Sequence, residues 1–300
     1  MLTTTPYIQL AEKLRGSVVI PTDPDWDETR HGFNLSIDPQ PEAIVLPADE
    51  FDVKAAVEFA RDSGFRVAPQ ATGHNPGPLG DLSGTILVDV RKLQEVSIDP
   101  AARRVRVGSG VKWERVVPEL SEAGLAALHG SSPDVGIAGY SLGGGMGWLA
   151  RKYGLQANSV TALELVTADG EFRRVDHTIG SDLFWALRGG NGNFGVVTSI
   201  EFEVYPLEEL YAGVMFFPLE SAGEILSIWT ELSPTLPDEM MTWVKLMQFP
   251  DMPDVPAEVR GRSFTLVFGA FLGTEDEGRQ LLDPLRRLGP VEDTFGMVPP

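Results

Sequence analysis

Cysteine is absent from the 300 residues, which excludes disulfides, thiolate nucleophiles and cysteine-held zinc or iron–sulfur centres. Basic charge is scarce. Lysine and arginine number 24 against 43 aspartates and glutamates, for a formal net charge of -19. A field of that sign repels phosphate backbones and anionic lipid, so neither nucleic acid nor a membrane is an expected partner. Long apolar runs are missing too. The most apolar stretch, GIAGYSLGGGMGWLA, is too short and too glycine-rich to span a bilayer. The opening MLTTTPYIQLAEKLRGSVVIPTD lacks the apolar core of a secretion signal. The location expected from these absences is cytoplasmic. With 43% hydrophobic and 22% charged residues, the composition is that of a globular protein able to bury one large core or two smaller ones.

Several elements can be read from local pattern. Ala43 to Leu46 reads as a short buried strand. Asp49 then offers a helix N-cap, and Val53, Ala56, Val57 and Ala60 share one helical face until Gly64 stops the helix. Phe65 to Ala68 begins a second strand, so a β-α-β unit is expected. It leads directly into QATGHNPGPLG (70–80), a loop so punctuated by glycine and proline that it can be neither helix nor interior strand. One imidazole, His74, stands in the middle of it. Further on, 85–90 reads as a strand, and EVSIDPAARRVRVGSG as a hairpin turning at Asp99-Pro100. A helix is expected from Trp113 to Glu122. A second hairpin turns at Asp169-Gly170, a helix covers SDLFWALR, and a strand covers VVTSIEFEVYPL. Strands and helices mix without strict alternation, so the expected class is α+β. Beyond Pro206–Glu209 the pattern predicts strands at 211–217, 240–248 and 263–271, with helices at 221–232 and 275–287.

Two matches to the dinucleotide fingerprint are refused. GNGNFG (190–195) follows a helix and precedes a strand, the reverse of the required order, and GMGWLA (145–150) has no strand before it. Glycine density still demands an explanation. Six glycines fall within the thirteen residues VGIAGYSLGGGMG, and four within the eight residues RGGNGNFG. Such density points either to backbone in close approach to a ligand, whose pyrophosphate successive N–H groups can cradle, or to tight turns packed on a helix.

The order PEAIVLPADEFDV, GHN, SPDVGIAGYSLGGGMGW, YGLQANSV and LFWALRGGNGNFGVVT resembles the FAD-binding domain of the p-cresol-methylhydroxylase and vanillyl-alcohol-oxidase superfamily. More closely, it is similar to the berberine-bridge-enzyme-like, oxygen-dependent FAD-linked oxidoreductases. The resemblance covers roughly residues 30 to 217, and it implies bound FAD. In that family the histidine of the Gly-His motif bonds through a ring nitrogen to the 8α-methyl carbon of the flavin, which makes His74 the expected covalent attachment point. It further implies cofactor contacts from Thr72, Gly73, Asn75 and Gly80 in the first loop. Ser132, Val135, Gly136, Gly139, Tyr140, Gly143 and Gly144 would supply contacts from the second, with Asn158 and Val197 beyond. Two positions depart from the family. Ser132 stands where many relatives attach the flavin a second time through cysteine, so only single attachment is expected. Tyr140 stands where a second histidine is common. Val135 is the residue type associated there with oxygen access, where leucine would suggest a dehydrogenase. His31, His129 and His177 are expected to be structural or exposed, and no metal is expected.

The implied fold is a FAD-binding domain of two α+β subdomains over 1–205 (core about 38–207). A partial substrate domain, an incomplete antiparallel sheet with helices, follows over 206–300. Relatives are longer and bring their catalytic base from the later part, so the chain is expected to be truncated at its C-terminal side, with the base beyond residue 300. The implied activity is an oxidase passing a hydride from an alcohol, sugar or secondary metabolite to FAD and then to O2. A flavin-binding module without complete catalytic machinery, or a FAD dehydrogenase with another acceptor, remain alternatives.

Overall fold

The computed structural model describes residues 5–300. Ser17–Val19 (β1) and Ala43–Leu46 (β2) pair antiparallel. β2 is buried on both faces, Ala43 and Val45 in one apolar cluster and Ile44 and Leu46 in another. The helix Glu50–Ser63 follows. The Asp49 carboxylate accepts from the N–H groups of Phe51 and Asp52, and Gly64 ends the helix at φ 75, a left-handed value that glycine adopts without steric cost. Then come Arg66–Gln70 (β3) and Thr85–Asp89 (β4). The expected β-α-β unit is modified, because β4 inserts between β2 and β3, parallel to both. β3 becomes an edge strand, where Pro69 is tolerated.

One buried carboxylate ties this subdomain together. Asp52 is 2% exposed and accepts from the N–H groups of Arg15 (2.9 Å), Gly16 (2.8 Å) and Ala48 (2.9 Å). No other side chain type offers two acceptor oxygens at that reach from the first turn of a helix. Asp52→Ala strands all three donors and is expected to cost about 3 kcal/mol, read as a lowered urea midpoint with unchanged slope.

The second sheet is antiparallel throughout. Its strands are Val96–Asp99 (β5), Arg104–Gly108 (β6), Val160–Val166 (β8), Phe172–Asp176 (β9) and Val196–Glu203 (β10), in the order β5-β6-β10-β8-β9. Both expected hairpins form, with Asp99 opposite Arg104 and Val166 opposite Phe172. The helix expected over Trp113–Glu122 is divided into a 3-10 turn at Trp113–Arg115 and a helix at Val117–Glu122. Pro118 explains the break, since its ring opposes the carbonyl of Glu114 and it has no N–H to donate. The strand expected to run through Tyr205 also divides. Tyr205–Pro206 (β11) leaves the sheet to pair with Leu125–Ala126 (β7).

The glycine-rich stretch contains an element the pattern did not indicate, a helix at Ile137–Leu142. Ile137, Ala138, Ser141 and Leu142 are buried, and they turn inward while Gly139 and Gly143 face out.

The third sheet centres on Leu210–Pro218 (β12) and Ser263–Phe271 (β14), with Met240–Gln248 (β13) beyond β14. Two short strands, Glu292–Asp293 (β15) and Gly296–Val298 (β16), both pair with β12. The helices Ala222–Leu232 and Glu275–Arg286 pack on one face through Ile225, Leu282 and Leu285, against Tyr211, Met215 and Val267.

Candidate functional site

The edge of β3, the loop after it and the helix Ile137–Leu142 border a cleft of about 630 Å³, a size within the range of cofactor sites. Of the residues singled out from sequence, Thr72, Gly73, His74 and Asn75 line it from the first loop, and Val135, Gly136, Gly139, Tyr140 and Gly143 from the second. Val197 lines a smaller adjoining space of about 60 Å³. Gly80, Ser132, Gly144 and Asn158 are not among the residues that line the cleft. Asn191, Gly192 and Asn193 close one end.

The two walls meet through one hydroxyl. Thr72 Oγ1 accepts from the Gly136 N–H at 3.4 Å and lies 3.0 Å from His74 Nδ1. The ring is thereby held on one edge. His74 Nε2 is buried without a hydrogen-bond partner among the described residues. Asp134 Oδ2 is 3.4 Å away, close enough to attract charge but outside hydrogen-bonding geometry. Gly73 takes φ 66, so the turn that presents the histidine is one that only a residue without Cβ adopts freely.

The cleft is polar without being ionic. Among the described residues that line it, Arg66 alone carries a full charge and no carboxylate is present. The Arg66 guanidinium is already engaged by the carbonyls of Asp81 and Ser83. In a chain of net charge -19, an anion entering here meets backbone and amides rather than cations. Both amide atoms of Gln70 and the Ser109 Oγ are buried and lack hydrogen-bond partners among the described residues. Gln70 borders both spaces, and Ser109 the smaller. Unpaired buried polar atoms are costly, and a polar ligand would satisfy them.

The glycines act in two ways. At Gly139 an added Cβ would meet nothing within 4 Å, so the position is open to the cleft. Gly144 and Gly145 instead hold φ 108 and 72, and a Cβ on Gly145 would lie 2.6 Å from the Tyr140 ring. Those two shape the turn. Tyr140 stands edge-on to Trp113, and its hydroxyl donates to the Leu128 carbonyl at 3.0 Å. Burial pushes that phenol well above its ordinary range, so it stays neutral.

A second cavity of about 420 Å³ lies where the third sheet faces residues 126–129 and 148–149. Its walls are apolar, with Leu149, Leu210, Ala270 and Phe268 among them, beside His129 and Trp148. Trp148 packs on Trp243, and Trp243 stacks on Phe268. Burial lowers the His129 pKa, partly offset by the Gly130 carbonyl, with Nδ1 2.9 Å from that oxygen. His129 is therefore neutral, with Nε2 free to accept. Sequence reasoning left it outside any site, and no local signal marks it, because the wall beside it comes from residues far along the chain.

Comparison with known proteins bears on the chain's family and fold. A domain family described as FAD binding domain matches residues 41–176. Over 277 residues the chain is 33% identical to (R)-6-hydroxynicotine oxidase of Paenarthrobacter nicotinovorans, a match covering 92% of this chain and 59% of that protein. It is 34% identical over 188 residues to glucooligosaccharide oxidase of Sarocladium strictum, covering 62% and 38%. The crystal structure of 6-hydroxy-D-nicotine oxidase from Arthrobacter nicotinovorans superposes with a TM-score of 0.84 at 29% identity, covering 95% of this chain and 62% of that one. The chain thus spans about three fifths of the length of the curated relatives that match along most of it.

Proposed function

We propose, from the premise that the chain belongs to the berberine-bridge-enzyme-like, FAD-linked oxidoreductases, that it binds FAD in the cleft beside His74 and serves a small-molecule oxidase. The observation that carries the reading is the cleft itself, open at Gly139 and bordered by buried polar atoms of Gln70 and Ser109 that have no partner among the described residues. Those features fit FAD, whose amphiphilic length needs close backbone approach together with a few amide and hydroxyl contacts. FAD supplies a two-electron acceptor that takes a hydride from an alcohol, sugar or secondary metabolite and returns the electrons to O2.

The chain's own contributions are positional. Thr72 orients His74 through its hydroxyl, and His74 is the point of a single 8α-histidyl attachment. Ser132 and the absence of cysteine leave no second, thioether link. Gly139 admits the cofactor close to the protein backbone, Gly136 and Gly143 border the same cleft, and Val197 borders the adjoining small space. The apolar cavity at His129 and Trp148 suits the less polar part of a substrate, with His129 Nε2 as a neutral acceptor. No catalytic base is assigned among residues 5–300. The domain assignment follows the same reading, a FAD-binding unit to about residue 205 and part of a substrate unit after it. A cytoplasmic location is proposed with it.

Val135 borders the cleft and packs against the core around Trp113. If it controls oxygen access, Val135→Leu slows flavin reoxidation on the order of tenfold, equivalent to a barrier raised by about 1.4 kcal/mol. The measurement is flavin absorbance after anaerobic reduction and mixing with aerated buffer. Equal rates remove Val135 from oxygen control, and very slow reoxidation of both proteins refutes the oxidase reading.

A further inference from the structure

His74 has an aromatic partner that no motif indicated. The phenyl of Phe33 lies face to face with the imidazole, ring centroids 4.0 Å apart and planes 5° from parallel. Phe33 is 63% exposed, so the core does not hold it in place. The backbone does. The Phe33 N–H donates to the Thr72 carbonyl at 2.8 Å, and the Asn34 N–H to the Gly73 carbonyl at 3.1 Å. The two segments touch at a glycine pair. A Cβ on Gly32 would lie 2.7 Å from Gly73 Cα, and one on Gly73 would lie 2.6 Å from Gly32 Cα, distances no side chain tolerates. Upstream, the largely buried Arg30 guanidinium binds the carboxylates of Asp27 and Asp38 and the carbonyl of Pro39. The segment that carries Phe33 is therefore anchored on both sides.

We infer that Phe33 is a positioning residue for flavin attachment, fixing the plane of the His74 ring while Thr72 fixes its edge. The inference rests on the histidyl reading above. An imidazole on a surface loop turns about its Cβ–Cγ bond, and a ring presented in the wrong plane misses the carbon it must reach. A parallel aromatic face at contact distance restricts that rotation and leaves both ring nitrogens at the periphery. In the attachment, a bond forms between an imidazole nitrogen and the flavin 8α carbon. One methyl C–H and the imidazole N–H are broken, their protons leave, and two electrons remain on the flavin. Dioxygen accepts the two electrons and two protons as hydrogen peroxide. Phe33 contributes no atom to any of these bonds.

The test separates a ring face from mere apolar bulk. The protein is produced in a riboflavin-starved host and mixed with FAD in aerated buffer. Reversible binding is followed by flavin fluorescence, and attachment by intact mass over time. Phe33→Leu is expected to bind FAD with unchanged affinity and unchanged melting temperature, yet to attach it on the order of ten- to a hundredfold more slowly. Phe33→Tyr, which keeps the face, is expected to attach at close to the parent rate. Attachment by Phe33→Leu at the parent rate overturns the inference. So does a loss of attachment matched by equal losses of affinity and melting temperature, since that describes a structural role. A parent protein that binds FAD but never gains its mass refutes the histidyl reading itself and this inference with it.

Discussion

Gly139→Val is expected to fold like the parent protein and to emerge without flavin. The residue lies in the helix Ile137–Leu142, where valine is at least as well tolerated as glycine. Its added Cβ would meet nothing within 4 Å, so no protein neighbour has to move. The branched side chain would instead occupy the cleft against which the cofactor lies. Overlap of this kind costs about 3 kcal/mol, roughly a hundredfold in affinity. Purified protein should have an unchanged melting temperature in the absence of ligand and little absorbance in the flavin band. Gly145→Val is the contrasting case. Its Cβ would lie 2.6 Å from the Tyr140 ring at φ 72, so it should lose stability before it loses cofactor. Gly144, buried and at φ 108, belongs with Gly145. A Gly139→Val protein that retains stoichiometric FAD would show that this wall of the cleft does not face the cofactor.

The second large effect is expected at His74. Replacing it with alanine removes the only imidazole that lines the cleft among the described residues, and with it the whole covalent adduct. Parent protein precipitated with acid should stay yellow, and a tryptic peptide containing Gly73-His74 should carry the mass of one FAD. The His74→Ala precipitate should be colourless. Reversible binding should survive the change, because Gln70, Ser109 and the open Gly139 position are untouched. Covalent flavin persisting in His74→Ala would direct the attachment to another side chain. A colourless precipitate from flavin-loaded parent would return His74 to the status of a loop histidine held by Thr72 and Phe33.

Much of the fold was legible because it depends on neighbours in sequence. The cap at Asp49 and the stop at Gly64 require only a carboxylate near two N–H groups and a residue at ease with φ 75. The hairpins at Asp99-Pro100 and Asp169-Gly170 follow from turn chemistry, and Gly170 takes φ 82. Strands 240–248 and 263–271 are both observed at the expected bounds. The differences from expectation have local or tertiary causes. Pro118 is a local cause: it divides the span expected to be one helix because proline fits only the first turn. The helix Ile137–Leu142 has little local signature, because four of the glycines in its stretch lie at or just past its C-terminal end and hide the six-residue helical core. The insertion of β4 between β2 and β3 has one local mark, Pro69, a residue that strands accept only at an edge. The pairing of β2 with β4 has none, since buried parallel strands read alike wherever they sit in a sheet.

The sequence by itself determined the class of structure, the two glycine-bearing loops, the lone histidine between glycine and asparagine, and the exclusion of thiol chemistry. Each of these is a property of residue type and short spacing. Only the tertiary structure decided what faces what. It stacked Phe33 on His74, turned Gly139 rather than Gly144 toward the cleft, left the amide of Gln70 without a partner among the described residues, and brought His129 to the apolar cavity under the third sheet. The physical reason is that a cleft is the space between surfaces contributed by distant segments. Its lining is set by the packing and crossing of sheets and helices, and no window of neighbouring residues contains that information.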